Sequence, residues 1–145
     1  MSLFDKLQSS KNDKINAIKA EGEAYLTQNA LAEGVVALPS GLQYKVLVQG
    51  TGTVHPTLQS NVTCHYHGML LNGDVFDSSV VRNSPATFPL GAVIKGWQEG
   101  VQLMTVGSKY SFSIPSHLAY GDNQAGAKIM PGSTLIFEVE LLGIS

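Results

Sequence analysis

The chain has 145 residues, 43% of them hydrophobic and 14% charged, with a formal net charge of −2. That is the size of one domain with enough apolar material for one core, which excludes bulk disorder, and the missing basic excess excludes nucleic acid and anionic lipid as default partners. The single cysteine, Cys64, excludes an intrachain disulfide and a cysteine-rich zinc framework.

The first residues, Met1-Ser2-Leu3-Phe4-Asp5-Lys6, run into polar sequence. With no secretory h-region and no membrane-spanning stretch, a cytoplasmic protein is expected. Lys11 to Glu33 is rich in Ala, Lys, Glu, Gln and Leu and lacks proline, which predicts a helix. Ser10 or Asn12 would cap it and Gly34 would stand at C′. Ile15, Ile18, Gly22 and Tyr25 recur at i, i+3, i+7 and i+10, with Leu26 and Leu31 beside them. A dimerisation or docking helix is one reading of that stripe. Because it is thin and interrupted by Gly22, an arm over residues 1–37 that packs lightly on its own domain, in a monomer, is preferred.

Leu38-Pro39-Ser40-Gly41 then turns the chain into a second unit, residues 38–145. Gln43 to Val48 alternates, which predicts a strand burying Tyr44, Val46 and Val48, and Gly50-Thr51-Gly52 turns it. Three more strands follow from the same period: Val62, Cys64 and Tyr66 on one; Tyr110, Phe112 and Ile114 on another; Leu135, Phe137, Val139 and Leu141 on the last. Between them Trp97, Val101 and Met104 recur at i, i+4 and i+7, predicting a helix from about Ile94 to Met104 that Gly107 ends. The order of elements predicts an α+β fold, an antiparallel sheet wrapped over one short helix with an extra N-terminal helix.

The signatures of nucleophilic, nucleotide and zinc-peptidase chemistry are missing: there is no G-x-S-x-G, no Walker loop, no G-x-G-x-x-G and no H-E-x-x-H. Aromatic residues beside turn glycines are abundant instead: Tyr66, Phe76, Phe88, Trp97, Tyr120 and Phe137. Within Cys64-His65-Tyr66-His67 the two histidines share a strand face and Cys64 takes the other, so the three do not chelate together. A metal site assembled from His55, His65, His67 and His117 is the weaker reading, and solvated histidines with a core cysteine the stronger. Asp77 follows Phe76 and precedes two serines, so it is either a turn acceptor or a polar group at a pocket rim. Near Ile94 the backbone N–H groups of a helix start are free to receive a carbonyl oxygen. Trp97 one turn later is either a pocket face or a packing anchor. Tyr120, beside Gly121, is either a surface turn residue or a hydroxyl held over a cleft.

Together these stretches resemble the FKBP family, in the bacterial branch related to macrophage-infectivity-potentiator proteins. The resemblance is collinear from about Leu38 to Ile144. Its carriers are Leu38-Pro39-Ser40-Gly41-Leu42-Gln43-Tyr44, Cys64-His65-Tyr66-His67-Gly68, Val75-Phe76-Asp77-Ser78-Ser79, Val93-Ile94-Lys95-Gly96-Trp97, Ala119-Tyr120-Gly121 and Leu135 to Leu141. It implies a prolyl isomerase that turns X–Pro bonds in peptides or unfolded proteins without a cofactor or metal, and that binds macrolides such as rapamycin. It further implies that Tyr66, Phe76, Asp77, Ile94, Trp97 and Tyr120 act on the substrate. Phe88, Val93, Ile129 and Phe137 would complete the binding pocket, with Trp97 as its floor. A non-catalytic chaperone groove is the competing reading. The chain departs from relatives at Ala86 and Ala125, in the short Gly91-Ala92-Val93 segment and at Pro131-Gly132; relatives with a long N-terminal dimerisation domain keep much more sequence before this region, and only the end of their connecting helix is expected here.

Overall fold

Period-two alternation governs the second half of the chain, and the resulting strands close around a helix only two turns long. The structure is a computed structural model that describes residues 3–145, with the backbone alone described for residues 4–10. The elements in order are α1 (Leu3–Asn29), β1 (Val35–Ala37), β2 (Gln43–Val48), β3 (Asn61–Met69), β4 (Val75–Ser78), α2 (Ser79–Arg82), β5 (Ala86–Pro89), α3 (Lys95–Val101), β6 (Lys109–Ile114) and β7 (Leu135–Ile144). Short 3-10 turns lie at Leu90–Ala92 and Ser116–Leu118. The strands form one seven-stranded sheet in the order β1-β2-β6-β7-β3-β4, with β5 also pairing β3. Every pairing is antiparallel. The expected α+β architecture is therefore what forms.

The inward sides of β3, β6 and β7 carry Val62, Cys64, Tyr66, Tyr110, Phe112, Ile114, Leu135, Phe137, Val139 and Leu141, all buried. Trp97, Val101 and Met104 meet them from the helix side. Two glycines set how close α3 lies. A Cβ on Gly96 would meet Ile114 Cγ2 at 2.5 Å, and one on Gly100 would meet Phe112 Cε1 at 2.4 Å. The helix thus rests directly on β6 and holds its indole at a fixed depth.

Three expectations need correction. First, α3 ends at Val101. The chain to Met104 is a turn closed by Leu103 N–H to Gly100 O and Met104 N–H to Val101 O, which still buries Met104. Second, β2 does not bury its alternating residues: Val46 is 40% exposed and Val48 is 52% exposed. Only three-residue β1 flanks β2 on its outer side, and α3 packs on β6 further in, so among the described residues no element covers that end. Tyr44 alone finds a partner, stacked on Tyr110 at 5.6 Å. Third, α1 starts earlier and ends at Asn29, running through both proposed caps. The side chain of Ser10 lies outside the described residues. Gly34, at φ +81°, follows an intervening turn and is not the C′ residue. Strands β1, β4 and β5 are too short for alternation to reveal them, at three, four and four residues.

Candidate active site

An open cleft of about 310 Å³ lies between the sheet and α3, lined by Tyr66, Asp77, Phe88, Ala92, Val93, Ile94, Trp97, Tyr120 and Phe137. Each comes from a separate structural cause. Tyr66 stands on the inward side of β3, and Phe137 on the inward side of β7. Phe88 is carried by β5, which pairs with β3 so that Val62 opposes Phe88. Ile94 is the N-cap of α3 and Trp97 sits in its first turn. Tyr120 follows the 3-10 turn at Ser116–Leu118.

Trp97 is only 4% exposed, so the cleft reaches one side of it. Three rings approach it nearly edge-on: Phe137 at 5.4 Å and 88°, Tyr66 at 5.6 Å and 80°, Phe88 at 5.7 Å and 80°. Such T-shaped contacts suit the ring quadrupoles and hold the indole in one orientation. Phe76 stands behind this shell, perpendicular to Phe137 at 5.3 Å. It buttresses a wall and is not among the lining residues. Ile129 is buried and likewise not among them; its N–H and C=O bridge to Ala125, closing the loop beyond Tyr120. The remaining predicted residues, Tyr66, Asp77, Phe88, Val93, Ile94, Trp97, Tyr120 and Phe137, are brought together.

The polar rim is a three-member network. Tyr66 OH donates to Asp77 Oδ2 at 2.8 Å and accepts from Arg82 Nη2 at 2.8 Å. Arg82 Nη1 also pairs with Asp77 Oδ1. The guanidinium carbon lies 5.7 Å from the Tyr66 ring centroid, within cation–π range. Asp77 lies on β4 opposite Gly68, so it belongs to the ladder and is not a turn residue. Burial raises the pKa of Tyr66; Asp77 adds to that rise and Arg82 opposes it. Hydrogen bonding to Asp77, then to Tyr66, raises that of Arg82. The rim therefore holds a neutral phenol and a permanent cation, tied together through the Asp77 carboxylate.

Arg82 was not singled out in the sequence. Its signal is local: Ser78 Oγ accepts from Val81 N–H at 3.1 Å, capping the one-turn helix α2, and Asn83 ends it in the left-handed region at φ 55°. That single turn folds Arg82 back onto Asp77, five residues earlier. Ala92, named in the sequence only within the short Gly91-Ala92-Val93 segment, also lines the cleft, and no periodicity marks it for that role.

The histidines are dispersed. His65 Nδ1 meets Ser79 Oγ at 3.0 Å and His67 Nδ1 meets Ser78 Oγ at 2.8 Å, on the outer face of the sheet. His55 bonds Gln102 O and His117 bonds Ser40 O elsewhere. Among the described residues no group of three or more His, Cys, Asp or Glu is placed to hold a metal ion. Cys64 is fully buried, and burial pushes its thiol up to about 12, so it supplies no thiolate at neutral pH.

Comparison with known proteins agrees with this geometry. The family profile described as FKBP-type peptidyl-prolyl cis-trans isomerase matches residues 52–142. One described as the domain amino terminal to FKBP-type peptidyl-prolyl isomerase matches residues 1–46. The FKBP-type 22 kDa peptidyl-prolyl cis-trans isomerase of Escherichia coli is 49% identical, over 98% of this chain and 68% of that protein. The outer membrane protein MIP of Legionella longbeachae is 43% identical, over 98% of this chain and 60% of that one. The crystal structure of FkpA from Escherichia coli superposes with a TM-score of 0.88 at 37% identity, covering 95% of this chain and 64% of that one. A peptidyl-prolyl cis-trans isomerase from Pseudomonas syringae superposes at 0.82 with 35% identity, covering 90% and 95%. The chain spans about half to two thirds of the length of the curated relatives it matches first.

Proposed function

We infer from two facts, that the chain belongs to the FKBP-type peptidyl-prolyl cis-trans isomerases and that its aromatic cleft is open, that it accelerates rotation about X–Pro peptide bonds in protein substrates. The observation that carries the reading is the cleft over Trp97, apolar on its floor and walls and polar only at its rim.

Resonance across the amide sets a barrier of about 18–20 kcal/mol, and uncatalysed exchange takes tens of seconds or longer. In the twisted transition state that resonance is lost, the carbonyl is less polar, and the nitrogen regains a lone pair. An apolar cleft is a poorer environment for the planar, polar ground state than for the twisted one, so the barrier falls. Proline stacks on Trp97 in this account, with Tyr66, Phe88 and Phe137 as walls. The N–H of Ile94, which meets no acceptor among the described residues, receives a substrate carbonyl. The Tyr120 hydroxyl orients a neighbouring carbonyl, and Val93 and Ile94 close the helix side. Asp77 and Arg82 hold Tyr66 in place. Phe76 acts through Phe137, and Ile129 through the loop that carries Tyr120. No bond is broken, which suits a site without a nucleophile.

The substrates on this reading are proline-containing segments of unfolded chains, with macrolides such as rapamycin as competing ligands of the same cleft. The isomerase unit is residues 38–145, joined to the 1–37 arm by the pairing of β1 with β2. The arm buries Gly22 and half-buries Ile15 and Tyr25 against its own domain, which supports a monomer. On this reading the protein is cytoplasmic; among the described residues no helix is long and apolar enough to cross a membrane. One relative carries the name outer membrane protein, so cell fractionation decides that point.

The test is NMR exchange spectroscopy on an X–Pro peptide with substoichiometric protein. Exchange cross-peaks between cis and trans forms support catalysis. Binding shifts without exchange leave a chaperone groove and overturn the reading.

A further inference from the structure

Two glycines contribute nothing to the cleft: Gly22, which interrupts the stripe of α1, and Gly132, where the loop after Tyr120 is small. They lie on opposite sides of one seam. A Cβ on Gly22 would meet Thr134 Oγ1 at 2.3 Å, and one on Gly132 would meet Lys19 Cγ at 2.9 Å and Ile15 O at 3.2 Å. Across the same seam Lys19 Nζ lies 2.7 Å from Asp122 Oδ1. Gly132 N–H in turn donates to Gly121 O at 2.8 Å, tying together the two ends of the loop. The last turns of α1 are fixed to the sheet independently. Asn29 Nδ2 donates to Gln43 Oε1 at 2.8 Å, Gln43 Nε2 donates to Leu26 O at 2.8 Å, and Tyr25 OH lies 3.3 Å from Ser113 Oγ.

We propose that α1 is a positioning strut for the cleft: through Ile15, Lys19 and Gly22 it holds both ends of the 121–134 loop and so sets the reach of Tyr120. The proposal rests on the isomerase reading above. The loop needs an external restraint. Gly121, Gly126 and Gly132 all sit at positive φ, and glycine has the most backbone freedom to lose. Tyr120 is 40% exposed, and its hydroxyl makes no hydrogen bond among the described residues. The exposed Lys19–Asp122 pair is by itself weak. The close backbone approach at the two glycines gives the seam its fixed geometry, and the ion pair sets its register. Any partner that shifts α1 against the sheet therefore alters turnover at the cleft, a coupling between two separate places on one chain.

The test uses the whole chain. Gly22→Val wedges the seam open. Lys19→Asp sets two carboxylates against each other, and adding Asp122→Lys restores the attraction. Hydrogen exchange of the Gly121 and Gly132 amides reads the loop, and kcat/KM on an X–Pro peptide reads the cleft. Gly22→Val is expected to speed exchange at both amides and lower kcat/KM about threefold or more, as misplacement of a positioning group does. Lys19→Asp is expected to do the same to a lesser degree, with recovery in the charge-swapped double variant. In a Tyr120→Phe background the kcat/KM loss should disappear, because both changes act on one contact. Unchanged amide protection, or an equal loss with and without the tyrosine hydroxyl, overturns the strut. A wild-type chain without catalysis overturns the isomerase reading, and the amide exchange of Gly22→Val still decides whether α1 holds the loop.

Discussion

The ring of Phe137 stands perpendicular to the Trp97 indole, 5.4 Å away at 88°, so a residue of the last strand fixes the orientation of the floor of a cleft built on a central helix. With Tyr66 and Phe88 it leaves the indole little room to tilt, so the cleft presents a preorganised apolar surface.

Removing that floor should abolish most catalysis. Trp97→Ala deletes the central ring of a four-ring cluster. It should cost about 3–5 kcal/mol of stability, as large-to-small changes at buried aromatics do. Trp97→Leu keeps more volume and should remain folded. Its kcat/KM on an X–Pro peptide should still drop by about tenfold or more, equivalent to about 1.4 kcal/mol of lost transition-state stabilisation. Urea titration and steady-state kinetics separate the two effects.

Gly68 tests the wall from behind. It lies opposite Phe137 in the β3–β7 ladder, and a Cβ there would meet Phe76 Cζ at 2.6 Å and Phe137 Cε1 at 2.8 Å. Gly68→Ala should therefore destabilise the fold by about 1–3 kcal/mol through overpacking. It should also lower kcat/KM by pushing Phe137 toward Trp97. Phe76→Ala should have the opposite steric sign, leaving Phe137 unsupported, and should weaken substrate binding while Trp97 stays in place. Melting curves and KM values check both.

Arg82 should matter more to the site than to the fold. Its pair with Asp77 is about half exposed, so Arg82→Gln should leave the urea midpoint nearly unchanged. Tyr66 then keeps only Asp77 and gains freedom, and kcat/KM should fall about two- to fivefold from imperfect positioning. Tyr66→Phe should make that loss vanish, since the hydroxyl through which Arg82 acts on the tyrosine is gone.

Cys64 makes a prediction about pH. Its thiol is raised from the ordinary value of 9.0 to about 12 in the folded chain. A group whose folded pKa lies above its unfolded value stabilises the fold fully below the unfolded pKa. That contribution is lost as pH rises through the folded pKa. Native protein at pH 8 should thus react with thiol reagents far more slowly than the unfolded chain. Its unfolding free energy should decline from pH 9.0 toward about 12, less steeply in Cys64→Ala. Thiol titration with and without urea, and unfolding at stepped pH, are the checks.

What the sequence discloses depends on how long each element runs and what its neighbours cover. β3, β6 and β7 are six to ten residues long with one covered side, so alternation exposes them directly. β2 alternates just as cleanly, yet no element covers Val46 and Val48, because coverage is a property of the sheet and not of the strand. Within the site, aromatic residues at strand and helix periods were legible. Whether Phe76 lines the cleft or supports Phe137 depends on a ring contact across the sheet that no local pattern encodes. Arg82 is hidden for a different reason: its signal is local but rests on a single turn, α2, set by Ser78 and Asn83, which is too short for any periodicity to mark. The role of Gly22 was illegible until Thr134, 112 positions later in the chain, was seen against it.

The central claim is that solvent exclusion over Trp97 turns the X–Pro bond without any proton transfer. The most direct measurement is the catalysed cis-to-trans rate of an X–Pro peptide in H2O and in D2O, with wild type and Trp97→Leu side by side. The account predicts a clear acceleration by wild type that is nearly the same in both solvents and largely lost in the variant. A wild-type rate no faster than the uncatalysed one, or an acceleration that drops sharply in D2O, would contradict it.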